Sequence, residues 1–300
     1  MMVSVQGVFP PVPTIFDAEG ALDLERFARN LRRWNATGLA GYVVLGSNGE
    51  FALLEEREKL ALIERARDET PPDKRLIAGT AAESTRGTIA LTRAAAALGA
   101  DAALVLTPHF YSPFYDEAAY LRHFMAVADA SPIPVLAYSM PAFAKVDLAV
   151  STLLALAEHP NIIGYKESGS DVAKIAAVAA SAPSHFAPLI GSGSHYLPAR
   201  LLGATGGILS LAIVAPEACV ELDAAIACGD LPKAQALQRR LLALNTAITS
   251  RYGIAGVKAA LDLLGYAGGA PRSPLTPLDE TARHDLATVL AAAGLLPSAA

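Results

Sequence analysis

The sequence predicts a (β/α)8 TIM barrel, an α/β fold, with a C-terminal helical appendage. Three observations predict it: eight short apolar segments, longer helical segments between them, and a purely helical pattern after the eighth. The apolar segments begin at Val8 (VFPPVPTIF), Gly41 (GYVVLG), Arg75 (RLIAGTA), Ala103 (ALVLTP), Pro134 (PVLAYSM), Ile162 (IIGYKES), Phe186 (FAPLIGSG) and Gly206 (GGILSLA). Their starts lie mostly 25 to 34 residues apart, the length of a strand, a loop, a helix and a return. Strands apolar on both faces belong to a sheet covered on both sides, and eight in succession favour closure over an open doubly wound sheet.

The segments LDLERFARNLRRW, EEREKLALIERARDE, STRGTIALTRAAAAL and YLRHFMAVADA space their apolar residues by three and four, with charges opposite, and should ring the barrel. After the last strand, PEACVELDAAIACG, DLPKAQALQRRLLALNTAIT, VKAALDLLG and DETARHDLATVLAAAG all read as helix. Gly229 followed by Asp230 is a helix-ending glycine before an N-cap, so the expected division is a barrel over residues 1–229 and a helical region over 230–300.

Composition narrows the function. The chain has 300 residues, 53% of them hydrophobic, enough for a large core. With 24 basic against 29 acidic residues and no basic run interleaved with aromatics, nucleic acid is not an expected partner. No apolar run reaches the ~18 residues of a membrane span, and MMVSVQGVFPPVP has no basic region leading into a hydrophobic one, so a cytoplasmic protein is expected. Cys219 and Cys228 lack a C-x-x-C spacing and read as buried free thiols.

In such a barrel the reactive groups project from the C-terminal ends of the strands. Polar residues interrupt the apolar runs there at GSNGE (46–50), TPHFY (107–111), YSMP (138–141) and KES (166–168). Lys166 is the sharpest. A lysine usually snorkels to solvent or pairs with an acid. At a strand mouth, desolvation instead favours the neutral amine, which attacks carbonyls. Glu167 alternates to the other face of the strand. Tyr138 ends the neighbouring strand; a tyrosine there can simply cap the core, but beside an amine it suits a proton shuttle. GSNGE is an ordinary turn sequence, yet its amides and the Ser47 hydroxyl suit a carboxylate. The glycines of GSGS, 191–194, suit either a phosphate cradled at the helix that follows or close approach of backbone to a small substrate. Of the histidines only His109 and His195 fall near strand ends, and none forms an H-x-H or H-E-x-x-H pair, so no metal is expected.

Taken together, GSNGE, YSMP and IIGYKES resemble the pyruvate-dependent class I aldolase family typified by dihydrodipicolinate synthase and N-acetylneuraminate lyase, over almost the whole chain. GSNGEF (46–51), AEST (82–85), SPIPV (131–135) and GIAGVK (253–258) look most like the 4-hydroxy-2-oxoglutarate aldolases of that family, which release pyruvate and glyoxylate. The resemblance implies that Lys166 forms a Schiff base with a 2-oxo acid and Tyr138 relays protons. It implies that Ser47 and Asn48 hold the carboxylate, and that Ser168, Gly191 and Ile208 line the substrate. No external cofactor is implied, and the partners are a 2-oxo acid and an aldehyde. A homo-oligomer, tetramer or dimer, is implied with residues near 110 at an interface.

Two positions depart from the family pattern. Phe143 stands where dihydrodipicolinate synthases carry an acceptor-binding arginine, with Lys145 the nearest alternative cation. Phe110 stands where relatives place a relay tyrosine, with Tyr111 one residue on. The alternatives are therefore dihydrodipicolinate synthase (4-hydroxy-tetrahydrodipicolinate synthase), a 2-oxo-3-deoxy sugar acid aldolase or dehydratase, and, more distantly, a noncatalytic barrel that binds a 2-oxo acid.

Overall fold

The strands β1 (Gly7–Phe9), β2 (Gly41–Val44), β3 (Arg75–Gly79), β4 (Ala102–Leu106), β5 (Val135–Ser139), β6 (Ile162–Glu167), β7 (Ala187–Ile190) and β8 (Gly206–Ile208) form one parallel sheet in chain order, and β1 pairs with β8. The structure is a computed structural model and describes residues 5–297. Closure between β1 and β2 is made partly by residues beyond β1. The Ala40 amide donates to Val8 O at 3.0 Å, Val43 to Pro10 O at 3.0 Å, and Val12 to Val43 O at 2.9 Å. Pro10 and Pro11 have no N–H to give, which is why the first strand is only three residues long although its apolar sequence continues.

The strands are buried almost throughout, and the helices between them cover the outside. Trp34, fully buried on the helix Leu24–Asn35, donates its indole N–H to Ile213 O at 3.1 Å and so ties the first helix to the turn after β8. Outer helices begin at side-chain caps: Asp23, Ser84, Asp116 and Asp171 each accept an amide of the first turn. Each such cap contributes about 1 kcal/mol, and because these helix starts face the barrel mouth, the caps also fix where the mouth loops end.

After β8 the described residues contain no further strand. The helices Pro216–Ala227, Leu231–Thr246, Gly253–Leu263 and Glu280–Ala292 follow, with a π-helical turn over Ala247–Arg251. Gly229 adopts φ 78° and Asp230 caps the next helix through the Lys233 amide. Cys219 is buried as expected, but Cys228 is exposed: it occupies the C-cap of Pro216–Ala227, past the last buried turn. Among the described residues no helix is long and apolar enough to cross a membrane.

Candidate active site

Lys166 is the penultimate residue of β6 and sits beside Tyr138 of β5 in the parallel ladder. Strand alternation turns Lys166 into the barrel and its neighbours Tyr165 and Glu167 outward. Tyr165 stacks on Phe186 at 5.9 Å, and Glu167 pairs with Lys174 at 3.0 Å. Lys174 also meets Asp147, which accepts the Ser139 hydroxyl at 3.0 Å. The carboxylate next to the lysine in sequence is thus occupied on the other side of the sheet.

Inside, Lys166 is 4% exposed, and its ammonium lies 4.1 Å from the centre of the Tyr138 ring. Burial alone would push the Tyr138 phenol up, because an anion is costly without water. The positive charge of Lys166, with hydrogen bonds from Ser168, Ser47 and Lys166 itself, outweighs burial and holds the phenol below its ordinary value. A phenol so placed releases and regains a proton readily beside an amine that must do the same.

Ser47 opens the 3-10 turn Ser47–Gly49 that follows β2. The turn is bracketed by two non-glycine residues in the left-handed region, Leu45 (φ 58°) and Glu50 (φ 55°). Such conformations cost on the order of 1–3 kcal/mol each and persist only where surrounding contacts enforce them. Asn48 Nδ2 donates to Ser210 Oγ at 2.7 Å, joining the loop after β2 to the residues after β8 and committing one amide proton. Ser168 shares the inward face with Lys166. Gly191 donates its amide to Glu167 O at 2.6 Å, and a Cβ there would overlap Ser168 Oγ and lie 3.0 Å from Lys166 Cε. Gly191→Ala should therefore displace both groups and raise the concentration of a carbonyl ligand that half-saturates Lys166 by about tenfold; an unchanged value would remove Gly191 from the site.

Lys166, Tyr138, Ser47, Ser168 and Gly191 come together, and Ile208 ends β8, fully buried and paired with Phe9. Phe110 and Tyr111 do not join the cluster within one chain. They are 72% and 56% exposed, packed edge to face at 4.9 Å on a loop whose His109 and Phe110 amides donate to Glu83. Phe143 is 64% exposed on the short helix Pro141–Ala144, and Lys145 folds back to donate to Ala142 O at 2.9 Å. His109 pairs with Glu83 at 2.9 Å, His195 contacts Ser192 Oγ at 3.2 Å, and the described residues hold no group of three or more potential metal ligands.

Two groups escaped the sequence reading. Ser210 is recognisable only through its contact with Asn48. Thr107 follows β4, and its hydroxyl is buried without a hydrogen-bond partner among the described residues. It borders a cavity of about 260 Å³ that also touches Phe51, Ala81 and Leu106 at the mouth. Its signal was present in TPHFY, a hydroxyl directly after an apolar strand.

A buried lysine beside an acidified phenol and two hydroxyls, at the strand mouths of a (β/α)8 barrel, defines a lysine-centred enzyme acting on a carbonyl compound. Residues 4–293 match the dihydrodipicolinate synthetase family, and the chain belongs to that family. It is 39% identical over 294 residues to an uncharacterised DapA-like lyase of Halobacterium salinarum, covering 98% of this chain and 96% of that protein. It is 36% identical over 284 residues to a 4-hydroxy-tetrahydrodipicolinate synthase of Exiguobacterium, covering 95% and 96%. A dihydrodipicolinate synthase of Acinetobacter baumannii, solved with pyruvate, superposes with a TM-score of 0.93 at 31% identity, covering 98% of this chain and all of that one. The protein is accordingly a carbon–carbon lyase of the pyruvate-dependent class I kind.

Proposed function

We propose that the enzyme cleaves 4-hydroxy-2-oxoglutarate to pyruvate and glyoxylate through a Schiff base on Lys166. The observation that carries the reading is the buried Lys166 ammonium against the Tyr138 ring. In its neutral form the amine attacks C2 of the 2-oxo acid, water leaves, and the iminium draws electrons toward nitrogen. The Tyr138 phenolate takes the C4 hydroxyl proton, the C3–C4 bond breaks, and glyoxylate departs from an enamine. Tyr138 or water returns a proton to C3, and hydrolysis of the iminium frees pyruvate and the lysine. Ser47 and Asn48 hold the C1 carboxylate in this reading, with Ser168, Gly191 and Ile208 lining the substrate, and the chemistry calls on no external cofactor.

Dihydrodipicolinate (4-hydroxy-tetrahydrodipicolinate) synthesis is the second reading, favoured by relatives that carry that name. Against it stands Phe143, an exposed ring at the position where dihydrodipicolinate synthases carry the arginine that binds their longer acceptor. A panel of aldehydes offered with pyruvate separates the readings: condensation with glyoxylate at a kcat/KM about tenfold or more above that with aspartate semialdehyde is expected, because Phe143 withholds from the longer acceptor a hydrogen bond to a charged group, which contributes about 1.5–3 kcal/mol. The reverse order would assign the synthase. An assembly of copies, tetramer or dimer, belongs to the same proposal, supported by the exposed rings of Phe110, Tyr111 and Phe114 and checked by sedimentation. A cytoplasmic setting is supported by the two free thiols.

A further inference from the structure

The geometry points to Lys258, in the C-terminal helix Gly253–Leu263, as a positioning residue for pyruvate, acting through Glu50 on the loop that presents Ser47 and Asn48. Lys258 and Glu50 have no exposed side-chain surface, and Lys258 Nζ lies 2.6 Å from Glu50 Oε1. The second oxygen of Glu50 accepts the Arg272 amide at 2.7 Å. Arg272 in turn grips Glu58 with both terminal nitrogens, at 2.6 and 2.7 Å, and donates to Leu53 O at 2.9 Å. Both cations lie over the ring of Phe16, Lys258 Nζ at 4.4 Å and Arg272 Cζ at 4.3 Å from its centre. From the opposite side Thr14 Oγ1 donates to Gly49 O at 2.6 Å.

These contacts close on one residue whose backbone is strained. Glu50 is in the left-handed region, its amide donates to Ser47 O at 3.1 Å, and the turn it ends begins with Ser47. A conformation that costs free energy is held only by what surrounds it, and here the surroundings are a fully buried ion pair from the other end of the chain. A lysine in such a place is costly on its own: burial pushes its ammonium down, and Glu50 only partly offsets that. Without the ammonium, the Glu50 carboxylate is left buried and uncompensated. The response open to it is to turn outward toward water, which takes the left-handed turn and the Ser47 hydroxyl with it. The pairing of Lys166 with Tyr138 across β5 and β6 stays in place, and Tyr138 loses only its hydrogen bond with Ser47.

The inference rests on the reading that Lys166 forms the pyruvate adduct, and one experiment keeps the two apart. Protein is incubated with a series of pyruvate concentrations and borohydride, and the trapped fraction at Lys166 is quantified by mass spectrometry, alongside the melting temperature. Lys258→Met should raise the half-saturating pyruvate concentration by about tenfold or more while the fraction trapped at saturation stays near that of the parent. The double variant Lys258→Met with Glu50→Gln, which removes both charges, should recover most of that loss. Half-saturation is compared at a temperature where the melting curve shows the variant fully folded, so that a reduced folded fraction does not raise it; an unmoved half-saturation there overturns the inference. So does a double variant no better than the single one. Should Lys258→Met not fold, Lys258→Gln carries the same test, since it removes the charge and keeps a donor for the Ala270 carbonyl, which the ammonium meets at 3.0 Å. Absence of any adduct in the parent protein would instead sink the Schiff-base reading.

Discussion

Lys166→Ala is expected to abolish exchange of the pyruvate methyl protons in deuterated water, with turnover falling by about four orders of magnitude or more. Among the described residues the other buried amines are engaged elsewhere: Lys74 with the Thr37 and Leu39 carbonyls, Lys174 with Glu167 and Asp147 outside the sheet, and Lys258 with Glu50. The fold should survive, because the substitution orphans no counter-charge. Glu167 keeps Lys174, and the removal of a desolvated ammonium offsets part of the lost packing, so the stability change should stay within about 2 kcal/mol. Proton exchange followed by NMR, with circular dichroism as a check on folding, gives the answer. Normal exchange in a folded Lys166→Ala protein would mean that another group carries the chemistry.

Tyr138→Phe separates adduct formation from proton transfer. The ring remains against the Lys166 ammonium and only the hydroxyl is lost, together with its bonds to Ser47 and Ser168. Adduct at Lys166 should still be trapped at long times, but proton exchange at the pyruvate methyl should fall by about 10²–10⁴-fold. The pH dependence carries a sign. A base works once deprotonated, so the parent rate should rise with pH through a limb below the ordinary phenol value of ~10, since Lys166 and the two serines hold the phenol down. That limb should be missing in the variant. Undiminished exchange would reduce Tyr138 to a packing role.

The barrel was legible because strand and helix periods alternate along the chain, and each period states which face is buried. Lys166 and Tyr138 stood out for the same reason: each is a polar group at the end of an apolar run, where only chemistry or waste explains it. What the sequence hid depends on distance along the chain. Asn48 and Ser210 meet across 162 residues, and nothing local in GSNGE or LSLA announces the contact. The Glu50–Lys258 pair was likewise invisible: GIAGVK reads as one more amphipathic helix until its lysine is found fully buried against the loop after β2. The first strand ended early because two prolines withhold amides, and Cys228 came out exposed because a helix period does not say where the last buried turn stops.

The central claim is that Lys166 is the nucleophile. Peptide mass spectrometry after incubation with pyruvate and borohydride tests it most directly. The expected result is a single reduced adduct, confined to the peptide that carries Lys166. No adduct, while an aldolase treated in parallel is trapped, or an adduct on a different lysine, would contradict the claim.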